Sequence, residues 1–281
     1  MNRYCDLHTH STFSDGTFTP TQIIDEAAEL GLSAVALSDH NTIDGLGEFL
    51  SAAGKKNIEA IAGSEFSADL DGKELHLLGL FIPEKYFPQV SDLMAEFRVR
   101  KEKSNIELIE GLRRDGIVVD YDEIKRNASG YVNRAHIASA LTAAGYTTSI
   151  KHAFDTLLSV SGGYYKAPSS VSVWEMIDFV RSIEALPVLA HPFLNLDREG
   201  LMRFLPKAKA QGLAGMECYY SKYDEKTTQI SLEIAAELGL LMSGGSDFHG
   251  DNKPDISLGV GRGNLRVPYE LAESLKNALK K

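Results

Sequence analysis

Short apolar runs alternate with amphipathic helical patterns along most of this sequence, and several of the runs lead straight into a histidine or an acid. The runs Tyr4–Leu7, Ala34–Ser38, Ile58–Ser64, Leu75–Phe81, Val188–Ala190, Gly215–Cys218 and Leu241–Ser243 read as seven strands. Helical periods lie between several of them. Pro20–Leu30 is one, with Pro20 suited to a first turn and Gly31 to a stop. Asp71-Gly72 is a tight-turn pair that joins the third and fourth strands as a hairpin. The remaining alternation implies βα units, hence an α/β fold with a mostly parallel sheet or a barrel.

The rhythm breaks between about Pro83 and Ser170, where the helical patterns Val90–Arg113, Asn133–Ala144 and Ser149–Val160 follow one another without a strand. This segment reads as a helical insertion. Barrel-type α/β domains commonly reach about 250 residues, so a chain of 281 suits one such domain plus an insertion. The formal net charge is −10, which argues against a protein that coats nucleic acid through its phosphates. The charge is uneven. Residues 95–166 hold 11 Lys+Arg against 9 Asp+Glu, a net of +2, which leaves −12 on the rest. Two cysteines, Cys5 and Cys218, are too few for a disulfide framework and read as small buried apolar groups. No apolar run suits a signal peptide or a membrane span, so a cytoplasmic protein is expected.

The polar residues at the run ends carry the chemistry. His8-Thr9-His10 follows the first run, and side chains two apart on an extended segment point to one side, where both imidazoles can reach one ion. Asp15, in Ser14-Asp15-Gly16, taken alone is a turn residue, and His76 within Leu75-His76-Leu77-Leu78 taken alone is a core histidine. The other runs end in Ser38-Asp39-His40, Gly63-Ser64-Glu65, His191-Pro192 and Ser246-Asp247-Phe248-His249. Six of the eight histidines and three carboxylates thus sit in or at the ends of successive strands, which in a parallel barrel converge on one face. Burying so many ionisable groups unpaired is very costly, whereas shared cations remove that cost. Nitrogen and oxygen donors without thiolate favour zinc, manganese or iron. Nine donors suit two or three divalent ions sharing a bridging carboxylate.

These residues fall into a recognisable set of motifs: DLHTHSTFSDG (6–16), LSDHNT (37–42), GSEFS (63–67), His76, AHP (190–192) and SDFH (246–249). With them the chain resembles the PHP (polymerase and histidinol phosphatase) superfamily of metal-dependent phosphoesterases, although Ser38 stands where that family often has Thr. The resemblance implies a distorted seven-stranded (β/α)7 barrel formed by residues 1–94 and 167–281, with a helical insertion at 95–166. It also implies a trinuclear site. His8, His10 and Asp247 would hold one ion together with Glu65, which bridges to a second completed by His76 and His191, while Asp15, His40 and His249 would hold the third.

Within the superfamily the chain looks most like a bacterial branch of nucleoside 3′,5′-bisphosphate phosphatases and 5′-to-3′ exoribonucleases. The substrate implied is a small phosphorylated compound, a nucleotide or short RNA 5′ end, with no membrane and no obligate protein partner. Related enzymes commonly carry an Arg-x-His element in the insertion that meets substrate phosphate, matched here by Arg134 and His136 around Ala135; Lys166 is a further candidate phosphate contact. The expected reaction is in-line attack on phosphorus by a hydroxide bridging two ions, with His191 or His249 assisting the leaving group. Histidinol phosphatase activity is the nearest alternative, and a metal-free interaction scaffold a more distant one. Asp39 is expected to orient a ligand imidazole, and Glu217 to do so or to be a barrel-mouth acid. His152 reads as structural, and Tyr164, Tyr165 and Tyr219 as packing aromatics or base-stacking groups.

Overall fold

The alternation becomes an eight-stranded sheet in the computed structural model of the chain, which describes residues 3–128, 132–166 and 171–280. The strands are β1 (Tyr4–Thr9), β2 (Ala34–Leu37), β3 (Glu59–Leu70), β4 (Lys73–Leu80), β5 (Leu186–Leu189), β6 (Gly215–Tyr220), β7 (Leu241–Gly245) and β8 (Val267–Pro268). Their order is β7-β6-β5-β4-β3-β2-β1-β8. Pairs β1–β2, β2–β3, β5–β6 and β6–β7 are parallel. The β3–β4 hairpin turns at Asp71 and Gly72, both at positive φ as a two-residue turn of this kind requires, and β4 is antiparallel to β5 as well. The first seven strands answer to the seven apolar runs. The eighth is a correction to that count: two residues ending in proline carry no periodicity to read, yet they pair antiparallel to β1.

The sheet nearly closes. Beyond β7 the Asp247 N–H donates to His8 O and the His10 N–H donates to Phe248 O, each at 2.9 Å, with a parallel bridge between Thr9 and Phe248. Gly245 permits this approach, since a Cβ there would lie 2.4 Å from that of His8. On β1, Cys5 and Leu7 enter an apolar cluster with Ala34, Ala36, Leu78, Val188, Val267 and Leu275. Strand alternation turns Asp6, His8 and His10 the other way. Burial pushes both thiols up, Cys218 to about 12, as small inert groups in apolar surroundings should be.

Helix α1 (Pro20–Glu29) starts where expected: Thr19 and Gln22 form a capping box around Pro20, and Gly31 beyond the end has φ +70°. The other helices beside the strands are α2 (Leu46–Ala53), α7 (Val173–Ser182), α8 (Arg198–Gln211), α9 (Glu225–Leu238) and α10 (Tyr269–Ala278).

The chain divides into two compact units, one of Met1–Ser91 and Val171–Lys281, the other of Asp92–Ser170. The second is helical throughout its described residues. It contains most of α3 (Phe87–Arg114), then α4 (Tyr121–Asn127), α5 (Arg134–Ala143) and α6 (Ile150–Asp155), around a core of Leu108, Leu112, Ile137, Leu141 and Leu158. Helix α4 is too short to show a helical period, although Asp120 caps it. The expected helix from Ser149 to Val160 stops at Asp155. The sequence-based boundary at residue 167 lies outside the described residues.

Candidate metal centre

All nine donors read from the sequence converge in the first unit. Glu65 is at the middle, with a fully buried side chain. Its Oε2 lies 3.1 Å from His8 Nε2, 3.2 Å from His10 Nε2 and 3.1 Å from His40 Nδ1; its Oε1 lies 2.7 Å from His76 Nδ1 and 2.9 Å from His191 Nε2. Five imidazoles therefore surround one carboxylate. Asp247 Oδ1 lies 3.3 Å from His10 Nε2 and 3.4 Å from His249 Nδ1, and Asp15 Oδ1 lies 3.3 Å from His249 Nε2.

Four overlapping groups bring their donor atoms within 4.8 Å of one another: His10, Asp15, His40 and His249; His8, Glu65 and His191; His8, His10 and Asp247; His40, Glu65 and His76. The sets overlap the expected partition but differ from it in several places: Glu65 is not grouped with His10 and Asp247, His10 joins Asp15, His40 and His249, and His40 joins Glu65 and His76. His76 and His191 fall in separate groups that share Glu65, rather than in one. The donors fit cations on a further observation. Both ring nitrogens of His10 are buried without a well-directed hydrogen bond, Nε2 lying 3.2 and 3.3 Å from the Glu65 and Asp247 oxygens, a cost that metal ligation removes for a nitrogen with a lone pair.

The electrostatics are those of a site that holds protons where it can hold ions. Burial works against charge on Glu65, but His40, His76 and His8 outweigh it and keep its carboxyl well below the usual range. Burial likewise opposes charge on Asp247, and His10, His8 and Lys253 hold it low. Against their own burial, His8 is raised by Glu217 and Glu65, His10 to about 9 by Asp247 and Glu65, and His76 to about 10 by Glu65 and Glu74. Burial wins at His40, which falls to about 3, and at His249, which falls too.

Of the two acids expected behind the donors, Asp39 departs from the sequence reading and Glu217 takes one of its two expected roles. Asp39 binds no imidazole. It accepts from Ser11 N, Ser11 Oγ and Ser14 Oγ, so it shapes the turn that carries Asp15. Glu217 does orient an imidazole: Oε1 accepts from His8 Nδ1 at 3.0 Å and Oε2 from the His191 N–H at 2.6 Å. Sequence reasoning passed over Asp6, which is buried and accepts from the backbone N–H groups of His8, Ser246 and Gly259. Its signal was its place two residues before His8 on the same face of β1.

The expected phosphate contacts lie in the second unit. Arg134 opens α5 beneath the Asn133 cap, with its guanidinium 4.2 Å from the centre of the Tyr165 ring and 5.6 Å from that of Phe154. His136 Nδ1 accepts the Asn133 N–H, which leaves Nε2 to donate, and burial and Lys101 lower its pKa. Lys166 is exposed, and its carbonyl accepts from Ser104 Oγ. His152 Nδ1 accepts from the Thr148 N–H ahead of its helix, a structural role. Tyr164 OH donates to Asp115 at 2.5 Å, a structural use of that ring.

A family model described as PHP domain matches residues 6–167. Several curated relatives align over most of the chain. A 5′-3′ exoribonuclease of Haemophilus influenzae is 32% identical over 250 residues, covering 89% of this chain and 91% of the relative. A phosphoribosyl 1,2-cyclic phosphate 1,2-diphosphodiesterase of Eggerthella lenta is 30% identical over 253 residues, covering 87% and 94%. A 3′,5′-nucleoside bisphosphate phosphatase of Chromobacterium violaceum is 28% identical over 247 residues, covering 87% and 86%. No helix among the described residues is long and apolar enough to cross a membrane. With its nine-donor centre on a nearly closed α/β sheet, the chain belongs to the PHP domain family and is a metal-dependent phosphoesterase.

Proposed function

We propose that the chain hydrolyses phosphate monoesters of nucleotides, as a 3′,5′-nucleoside bisphosphate phosphatase does, and also acts on short RNA 5′ ends. The observation that carries the phosphoester chemistry is Glu65, whose two oxygens divide five imidazoles between them. The names of the Haemophilus and Chromobacterium relatives support the nucleotide part.

Two or three divalent ions, manganese, iron or zinc, would be held by His8, His10, Asp15, His40, Glu65, His76, His191, Asp247 and His249. Such ions bring a bound water's pKa toward neutrality and offset charge on the phosphoryl oxygens. The protein's own part is to aim its donors. Glu217 holds His8 with Nε2 facing Glu65, and the Asp247 carbonyl accepts from His249 Nδ1, which turns Nε2 toward Asp15. That bond commits the His249 proton. Of the two histidines considered for leaving-group protonation, His191 alone keeps an uncommitted ring nitrogen, Nδ1. Arg134, His136 and Lys166 supply phosphate contacts, Arg134 through its planar fork at a helix start.

Phosphate release from 3′,5′-bisphosphoadenosine, AMP, histidinol phosphate, a ribose 1,2-cyclic phosphate and a 5′-phosphorylated oligoribonucleotide tests the substrate class. The bisphosphate is expected to give the highest kcat/KM. Preference for histidinol phosphate or for the cyclic phosphate overturns the nucleotide reading, and no turnover with any of them favours a non-catalytic scaffold.

A further inference from the structure

Asp247 is held at every polar atom but one. It follows β7 in a left-handed conformation, φ 57°, which aspartate tolerates better than most residues. Its N–H donates to His8 O, and its carbonyl accepts from His249 Nδ1. Its Oδ2 accepts from Tyr220 OH at 2.8 Å and from Lys253 Nζ at 2.7 Å. Only Oδ1 faces the imidazoles of His8, His10 and His249, at 3.8, 3.3 and 3.4 Å.

Neither donor to Oδ2 stands there by accident of the surface. Tyr220 is buried at the end of β6, with its ring 5.5 Å from that of His191 and 5.1 Å from that of Tyr223. Lys253 follows a turn fixed at three points: Thr17 N–H donates to His249 O, Asp251 N–H to Thr17 Oγ1, and Asn252 Nδ2 to Asp15 O. Gly250 makes that turn possible, since it has φ +62° and a Cβ on it would meet Thr17 Oγ1 at 2.1 Å. A lysine beside a cation site is electrostatically unfavourable for the cation, so an ammonium kept there needs a task that offsets the repulsion. Its geometry supplies one, because it fills the carboxylate's second oxygen.

We propose that Tyr220 and Lys253 are positioning residues that occupy Oδ2 of Asp247, so that this carboxylate binds its ion through Oδ1 alone. The inference rests on the reading of Asp247 as a ligand. Groups that hydrogen-bond a metal ligand commonly tune affinity by roughly 10- to 100-fold. The tyrosine hydroxyl does so without adding charge. The lysine does so while its ammonium, partly in solvent, has its repulsion screened.

The test measures Mn2+ and Zn2+ affinity of the full metal-free chain by competition with a chromophoric chelator, for wild type, Tyr220→Phe, Lys253→Met and Lys253→Arg. Circular dichroism and melting of each metal-free variant report folding. Tyr220→Phe and Lys253→Met are each expected to weaken the Asp247-containing site about tenfold, with metal-free melting unchanged for Lys253→Met, and Lys253→Arg to recover most of the loss. Should Tyr220→Phe fail to fold, the Lys253 pair decides. Unchanged or tighter binding in Lys253→Met overturns the proposal. A wild-type chain that binds neither ion refutes the metal-centre reading itself.

Discussion

The Nδ1 of His8 and the Oε1 of Glu217 lie 3.0 Å apart, although 209 residues separate them, and neither side chain is exposed. A carboxylate at Nδ1 fixes the proton on that nitrogen and presents the Nε2 lone pair to the centre. Glu217→Ala is therefore expected to weaken metal binding by about 10- to 100-fold and to lower kcat/KM with it. It also strips the His191 N–H of its acceptor. Chelator competition and steady-state rates on the same preparations check this, and Glu217→Gln, which keeps an acceptor, should lose less.

Metal uptake should expel protons. Without ions, His10 and His76 are raised to about 9 and about 10, so both are protonated at pH 7, and a cation must displace those protons to reach the nitrogens. Affinity should therefore rise from pH 7 to pH 9. Titration calorimetry in buffers of different protonation enthalpy should show proton release that shrinks as pH increases. The sign for stability runs the other way. Groups raised above the ordinary histidine value stabilise the metal-free fold fully below about 6.5 and lose that contribution as pH climbs through 9 and 10. Glu65 and Asp247, held low, contribute above the ordinary carboxylate range and lose their contribution as pH falls. The chelated chain should melt lower at pH 10 than at pH 7.

Gly245→Ala should damage fold and site together. The added Cβ would lie 2.4 Å from His8 Cβ and 2.5 Å from His8 N, at the seam where the strand carrying Asp247 returns to β1. Overpacking of this kind costs about 1–3 kcal/mol, to be read as a lower denaturation midpoint with reduced metal content per folded chain.

Arg134→Ala should raise KM for phosphorylated substrates several-fold and leave metal content intact, since Arg134 is not one of the nine donors and its guanidinium sits on the Tyr165 ring in the helical unit. Metal analysis beside the kinetics separates this from a ligand role.

The strands and donors were legible because each rests on a local rule. Apolar runs marked β1 to β7, and residues such as His8 and His10 share a strand face whatever the rest of the chain does. What stayed hidden depends on closure of the sheet. The pairing of Val267 and Pro268 with β1 has no local signature. Asp39 shapes a turn rather than orienting an imidazole, and Glu217 takes the orienting one of its two expected roles, because the sequence shows which acids lie near the motifs, not which carboxylate the curvature brings behind which imidazole. Lys253 and Tyr220 were missed for the same reason: one lies past the last motif, the other reads as one more aromatic at a strand end.

The metal content of the purified chain, counted beside that of Glu65→Ala with phosphate release measured on both, tests the central claim most directly. Two or three transition-metal ions per wild-type chain are expected, with both ions and turnover lost in the variant while circular dichroism shows it folded. A Glu65→Ala chain that keeps its full metal complement and activity would contradict the account.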